Sequence, residues 1–206
     1  MEIIPKEYCI FIASHLTNTN RIPFVCECLT SLIQQHMKIS IYLSISFETD
    51  DLVSELDKQL QNNDTISSCG FLNIYRRQEK TSQMLHFYLL LETCKLSHEW
   101  IMFCDDDDTY EPNRSMHIAK IITTAKHQIE NETTGQLHLA GVYESTFGKS
   151  HRQHRHEYWC YCVNKQLLED FYNIIYVHPE VINDKCCDVL FAEYLRRKAN
   201  NWIFLQ

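Results

Sequence analysis

The sequence predicts an α/β fold, with a central, mostly parallel sheet flanked by helices. Three observations predict it. Short runs of strand formers alternate with stretches of helical apolar spacing along the first half of the chain, as crossover units do. The chain has 206 residues, the size of one domain with a sizeable core. Hydrophobic residues make up 45% and charged residues 22% of it, the balance of a folded globular chain.

The elements follow in order. "YCIFIA", Tyr8 to Ala13, is an apolar strand. After the polar "SHLTNTN", residues from Arg21 to His36 read as a helix, with Ile22, Val25, Leu29, Leu32 and Ile33 on one face. "KISIYLSISF", Lys38 to Phe47, is a second strand, and "ETDD" opens a helix from Asp51 to Gln61 with acids at its positive end. Phe71 to Tyr75 is a third strand, Thr81 to Leu96 a helix, and Trp100 to Cys104 a fourth strand. Arg114 to Ile129 reads as a helix, Leu137 to Tyr143 and Tyr158 to Val163 as strands, and Lys165 to Tyr172 and Asp184 to Lys198 as helices. The whole chain, 1–206, is expected to be one domain. In such sheets ligands sit beyond the carboxyl ends of the strands. The loops after Ala13, Phe47, Tyr75 and Cys104 should therefore meet in one crevice.

Composition excludes several classes. The net charge is −8, so no basic face for nucleic acid is expected. There are four glycines and neither a G-x-G-x-x-G nor a P-loop motif, so both glycine phosphate cradles are absent. No apolar run reaches the ~18 residues of a membrane span. The start, "MEIIPKEYCIFIASHL", has no basic region ahead of its apolar stretch, which argues against a signal peptide. The ten cysteines lack C-x₂-C spacing. They read as reduced, mostly buried thiols in a cytoplasmic protein.

"EWIMFCDDDDTYEPN" is the most informative stretch. Asp105 to Asp108 end an apolar strand, where mutual repulsion and desolvation both penalise the charged forms. A divalent cation would compensate. A strand ending in Asp-x-Asp suits a metal-bound diphosphate, since Mg²⁺ or Mn²⁺ takes oxygen ligands. Three other readings weigh against it. Asp105-x-Asp107-x-Thr109 fits the signature of HAD-type phosphatases, but that motif normally ends the first strand and needs a later Gly-Asp, which this chain lacks. A calcium loop counted from Asp105 would have Tyr110 where glycine is needed and Met116 where glutamate is needed. A solvated acidic turn capping the next helix is the structural alternative.

The run resembles the Asp-x-Asp motif of GT-A glycosyltransferases, in particular family 2-like enzymes, whose fourth strand ends in D-x-D-D. The resemblance extends to "YCIFIASHLTNTNRIPFVCECLTSLIQQ" as first strand, base-binding loop and helix, "ISIYLSISFETDD" as second strand, "IYRRQEKTSQMLHFYLLLETC" as third strand and following helix, and "INDKCCDVLFAEYLRR" as the late acidic helix. In compactness the chain also resembles small glycosyltransferase domains encoded by large algal viruses. It departs from family 2 in having Lys80-Thr81-Ser82-Gln83 where a glycine is usual, and two cysteines ahead of Asp188 in place of a Glu-Asp pair.

The resemblance implies a single GT-A-like domain, with a nucleotide-binding half over about 1–110 and an acceptor half over about 111–206. It implies transfer of a sugar from a nucleotide diphosphate, a UDP-sugar by preference, to a glycan hydroxyl. A non-catalytic module that binds nucleotide or glycan is the other reading. Asp107 would be the principal ligand of Mn²⁺ or Mg²⁺. Asp105 would support the ribose or the metal, with Asp106 its substitute if the register slips by one. Ala13, Ser14 and His15 would meet the nucleotide. Glu48 and Asp50 would accept the uracil N–H, although Asp50 also suits a helix cap. Arg77, Lys80 and Gln83 would serve the donor, with Arg offering forked donors. Asp188 would be the general base if the enzyme inverts. Alternation would set Asp105 and Asp107 on one side of the strand end and Asp106 and Asp108 on the other. "GKSHRQHRHEYW", with His151, His154 and His156, reads as an acceptor loop. The location implied is the cytoplasm, that of the host if the protein is viral.

Overall fold

The computed structural model describes residues 6–93, 98–131, 139–144, 157–198 and 202–205. The predicted His151, His154 and His156 loop lies outside them. Seven strands form one sheet: β1 (Tyr8–Leu16), β2 (Ser40–Phe47), β3 (Leu72–Arg76), β4 (Trp100–Asp105), β5 (Gly141–Glu144), β6 (Tyr161–Asn164) and β7 (Trp202–Leu205). Their order is β3-β2-β1-β4-β6-β5-β7. Pairing is parallel from β3 to β4 and again between β5 and β7, while β6 runs antiparallel to both β4 and β5.

The helices are α1 (Ile22–Ile33), α2 (Asp51–Asn62), α3 (Asp64–Ser67), α4 (Gln83–Thr93), α5 (Arg114–Asn131), α6 (Lys165–Ile175), α7 (Pro179–Ile182) and α8 (Cys187–Arg197). None of those described is long and apolar enough to cross a membrane. Strand alternation assigns the two faces. Ile10 and Ile12 of β1 and Met102 and Cys104 of β4 point into a core filled from α1, α2, α3 and α5. Cys9, Phe11, Ile101 and Phe103 point into a second core filled from α4, α6 and α8. Because both faces are covered, the strands read as continuous apolar runs.

Most elements fall where the sequence places them, with shifted ends. The first strand continues three residues past Ala13 to Leu16. The first helix begins at Ile22 after a 3₁₀ turn over Thr19–Arg21, with Pro23 in its first turn, where the missing N–H costs nothing. Tyr158–Cys160, expected as strand, is a 3₁₀ turn, and the strand proper starts at Tyr161. The last helix opens at Cys187, because Asp184 to Cys186 form a turn in which the Asp184 carboxylate accepts the Cys186 N–H at 2.7 Å. The short α3, α7 and β7 were not anticipated.

Chain order reverses beside β1: β2 and β3 lie on one side of it and β4 on the other. That switch point is where parallel sheets open a crevice at their carboxyl ends.

Candidate active site

Ser14 on β1 and Asp106 just past β4 meet across the switch point, the Ser14 hydroxyl donating to the Asp106 carboxylate at 2.5 Å. Asp105 is the last residue of β4 and pairs in register with Ala13, which is buried in the wall beneath. Continuing the strand's alternation, Asp105 points to the α4 face. There Gln83 Nε2 donates to its Oδ1 at 3.0 Å and to the Tyr158 hydroxyl at 2.7 Å, and Tyr158 donates to the same Asp105 oxygen. Burial pushes the Asp105 carboxyl up to about 7; the Tyr158 bond opposes this, and the charges of Asp108, Asp107 and Asp106 add to it. Burial also raises Asp106 against the opposing pull of Ser14 and Arg21.

The strand geometry ends at Asp105. The Asp108 N–H bonds back to the Asp105 carbonyl at 3.2 Å, closing a turn. The expected alternation over four aspartates is therefore corrected: Asp106 and Asp107 face the same partner. Arg21 donates to Asp106 at 2.6 Å and to Asp107 at 3.0 Å. Arg21 is half of the answer to how four acids coexist, and nothing in its sequence setting marks it. The side chain of Asp106 is 10% exposed and that of Asp107 is 47% exposed. Asp107 and Asp108 are thus the exposed carboxylates of the run, while Asp105 is committed to Tyr158 and Gln83. No group of three His, Cys, Asp or Glu that would hold a metal by itself occurs among the described residues. The donor set nevertheless fits a hard cation that completes its shell with diphosphate and water oxygens.

A second polar cluster joins the ends of β1, β2 and β3. His15 bonds Ser46 through Nδ1 and Glu48 through Nε2, both at 2.9 Å. Lys80 reaches the same Glu48 oxygen at 3.3 Å. The His15 bond, and after it Lys80, lower the Glu48 carboxyl. Arg77 donates through Nε to Ser44 at 2.9 Å, and its buried Nη2 has no partner among the described residues. Burial lowers the Arg77 guanidinium. His86 of α4 is wedged between Ser44 and Ser46 at 2.8 and 3.2 Å. Ser82 caps α4, accepting the Leu85 N–H at 3.4 Å. Starting the helix there sets Gln83 and His86, three residues apart, on one face.

Asp50 stays outside this cluster. It is exposed at the start of α2 and makes no side-chain cap bond, so the expected capping role is corrected, and no side-chain hydrogen bond ties it to the site among the described residues. Asp188 sits in the first turn of α8, where the helix dipole favours its charge. Its Oδ1 is buried without a partner among the described residues, and its charge helps raise the Tyr158 phenol. Beyond Asp108, a cavity of about 360 Å³ is lined by Arg114, Glu144 and Trp159 among others.

Arg21, Tyr158, Ser44, Ser46 and His86 escaped sequence reasoning. The last three left a signal: serines two apart inside the apolar "SIYLSISF", and one histidine inside the apolar "QMLHFYLLLET".

His86 carries a pH prediction. Burial, then the charges of Arg77 and His15, hold its pKa at about 3 against an ordinary 6.5. The unfolded chain therefore binds the proton more readily. The stability from a neutral His86 is complete above pH 6.5 and is lost as pH falls toward about 3. His86→Gln should flatten this part of the profile, by on the order of a few kcal/mol at the acid end. Urea melts at stepped pH values would show it, and equal slopes in the two proteins would refute it.

No protein-family profile matches the chain, and no curated protein matches it. Among solved structures it is similar to TarS of S. aureus, with 17% identity over 97% of this chain, 35% of that chain and a TM-score of 0.62. It is similar also to TarS 1-349 in complex with UDP, with 16% identity, 97% of this chain, 57% of that chain and a TM-score of 0.62. For TarS 1-349 in complex with UDP-GlcNAc the values are 16%, 97%, 56% and 0.57. The chain thus spans from about a third to just over half the length of these structures. The fold is the single-domain, GT-A-like α/β fold expected from the sequence, with a mostly parallel central sheet flanked by helices.

Proposed function

We propose that the chain is a metal-dependent glycosyltransferase that moves a sugar from a nucleotide diphosphate, UDP by preference, to a hydroxyl of a glycan acceptor. One observation carries the reading. The aspartate run stands at the carboxyl end of the sheet, and Arg77 Nη2 and Asp188 Oδ1 are among the buried polar atoms without a partner among the described residues, as is Trp100 Nε1. Buried polar groups are normally paired, and a ligand would supply partners for Arg77 and Asp188. Arg77 suits an anion or a base carbonyl, and Asp188 suits an acceptor hydroxyl. The fold shared with a protein solved with UDP and with UDP-GlcNAc supports the donor class.

Asp107, with support from Asp105, would hold Mn²⁺ or Mg²⁺. The ion would neutralise the diphosphate and the leaving group. The remaining work falls to the chain's own residues. Ser14 and Arg21 fix Asp106, Tyr158 and Gln83 fix Asp105, and Glu48, His15, Lys80 and Arg77 meet the nucleotide. Residues up to about 110 serve the donor. The later half serves the acceptor and holds Asp188 and part of the cavity beside Asp108. A cytoplasmic location belongs to the reading, since the buried thiols of Cys9, Cys28, Cys104, Cys162 and Cys187 suit a reducing compartment. The phosphatase reading loses support because Asp105, its would-be nucleophile, accepts two hydrogen bonds and is pushed up to about 7.

The test is a thermal-shift panel of UDP-, GDP- and dTDP-sugars with and without Mn²⁺. A ligand at a hundred times its Kd adds ~2.7 kcal/mol, and UDP-sugars with Mn²⁺ are expected to give the largest shift. Donor hydrolysis should be slow without acceptor. Turnover of phosphatase substrates with no nucleotide-sugar binding would overturn the reading. Binding without UDP release toward any acceptor would leave a binding module.

A further inference from the structure

Six hydrogen-bonding groups run in line from the end of β3 to the end of β2: Arg77 Nε, Ser44 Oγ, the two nitrogens of His86, Ser46 Oγ, the two nitrogens of His15, and Glu48. Each link is between 2.8 and 3.2 Å long. Both serines and His86 are at most 1% exposed, so water does not set the proton positions.

The two ends do. Glu48 only accepts, so His15 places its proton on Nε2 and leaves Nδ1 as an acceptor. Ser46 must then donate to His15 Nδ1, and it receives the Thr81 N–H at 3.4 Å on a lone pair. With its proton spent, Ser46 presents a lone pair to His86, which must carry its proton on Nε2. The Ser14 carbonyl adds an acceptor beside the ring. His86 Nδ1 then accepts from Ser44, and Ser44 accepts from Arg77, which only donates. Every proton has one destination. The reverse direction requires a doubly protonated His15 and leaves the Ser44 proton with no acceptor in the chain.

We infer that His86 is a positioning residue that locks the two ends of the donor crevice into one hydrogen-bond polarity. One end presents Arg77 with Nη2 free to donate. The other presents Glu48 with Oε2 taken by His15 and Lys80, and with Oε1 making no hydrogen bond among the described residues. Its low pKa agrees with a ring that stays neutral. His86 touches no substrate. It acts by holding Ser44 under Arg77 and Ser46 under His15. The ligand in this scheme rests on the donor reading above, but the proton order does not.

The test has two arms. In the first, UDP and CDP are titrated calorimetrically into the wild type, His86→Gln and His86→Leu. A glutamine amide accepts through its oxygen and donates through its nitrogen, so His86→Gln should keep UDP affinity and the preference for UDP over CDP within about threefold. His86→Leu should weaken UDP by about tenfold or more and erode the preference, with kcat at saturating donor far less affected than KM. Equal loss in both variants, or none in a folded His86→Leu, overturns the inference. The second arm needs no ligand. Long-range ¹H–¹⁵N spectra of the wild type should show the Nε2–H tautomer for both His15 and His86, assigned by the signals lost in His15→Gln and His86→Gln. An Nδ1–H tautomer at His86 overturns it. If no uridine nucleotide binds, the donor reading fails and this arm alone decides the proton order.

Discussion

Replacing Asp107 by alanine should abolish Mn²⁺-dependent binding of UDP while leaving the fold intact. Asp107 is, with Asp108, one of the two exposed members of the run and shares only one arm of Arg21. Exposed ion pairs contribute about 0–1 kcal/mol, and removing one of four neighbouring acids relieves repulsion, so thermal stability without metal should move by less than about 1 kcal/mol. Binding is different in kind. Among the described residues no trio of ligands stands ready, so on the proposed reading loss of Asp107 would remove the protein's main hold on the ion. Asp108→Ala, by contrast, should keep most metal-dependent binding. Calorimetric titration of UDP with and without Mn²⁺ separates these outcomes. An Asp107→Ala protein that bound both like the parent would return the acidic run to the status of a charged turn.

The second large effect is expected at Asp188. Asp188→Asn should reduce turnover by about 10²- to 10⁴-fold, the usual contribution of a general base, and change donor affinity little. Its buried oxygen, without a partner among the described residues, lies within electrostatic reach of Tyr158, which holds Asp105. The base would therefore stand beside the donor site without being part of it. Single-turnover rates with donor and acceptor, set against UDP affinity in the same variant, are the measurement. Unchanged turnover in a folded variant would remove Asp188 from the reaction and favour a retaining mechanism.

The legible parts of this molecule are those written locally. β4 and its aspartates announce themselves in fifteen consecutive residues, and the alternation of strands and helices gives the parallel half of the sheet. The unread parts are pairings at a distance. Arg21 is 85 residues from Asp106 and Tyr158 is 53 from Asp105, and nothing in "TNRIP" or "EYWCY" names those partners. The alternation assumed for Asp105 to Asp108 failed because a strand rule was carried past the strand: the backbone turns at once, and a turn obeys no period of two. Asp50 failed differently. Its position before α2 suits a cap, but the N–H groups of that helix are not met by its side chain. Short elements such as α7 and β7, four residues each, carry too little pattern to be read without the sheet and helices they rest on.

If the proposed function holds, Arg21 has a consequence for the order in which substrates arrive. Spanning Asp106 and Asp107, its guanidinium is an internal counter-ion that occupies the aspartate turn before any metal does. A bare divalent ion approaching Asp107 must compete with a cation tethered in place, so its affinity in isolation should be poor. An ion that arrives already chelated by a diphosphate brings negative charge with it, and Arg21 can exchange its carboxylate for a phosphate oxygen. The kinetic signature is loading of the nucleotide and metal as one chelate, with metal alone failing to saturate the protein at concentrations where the chelate does.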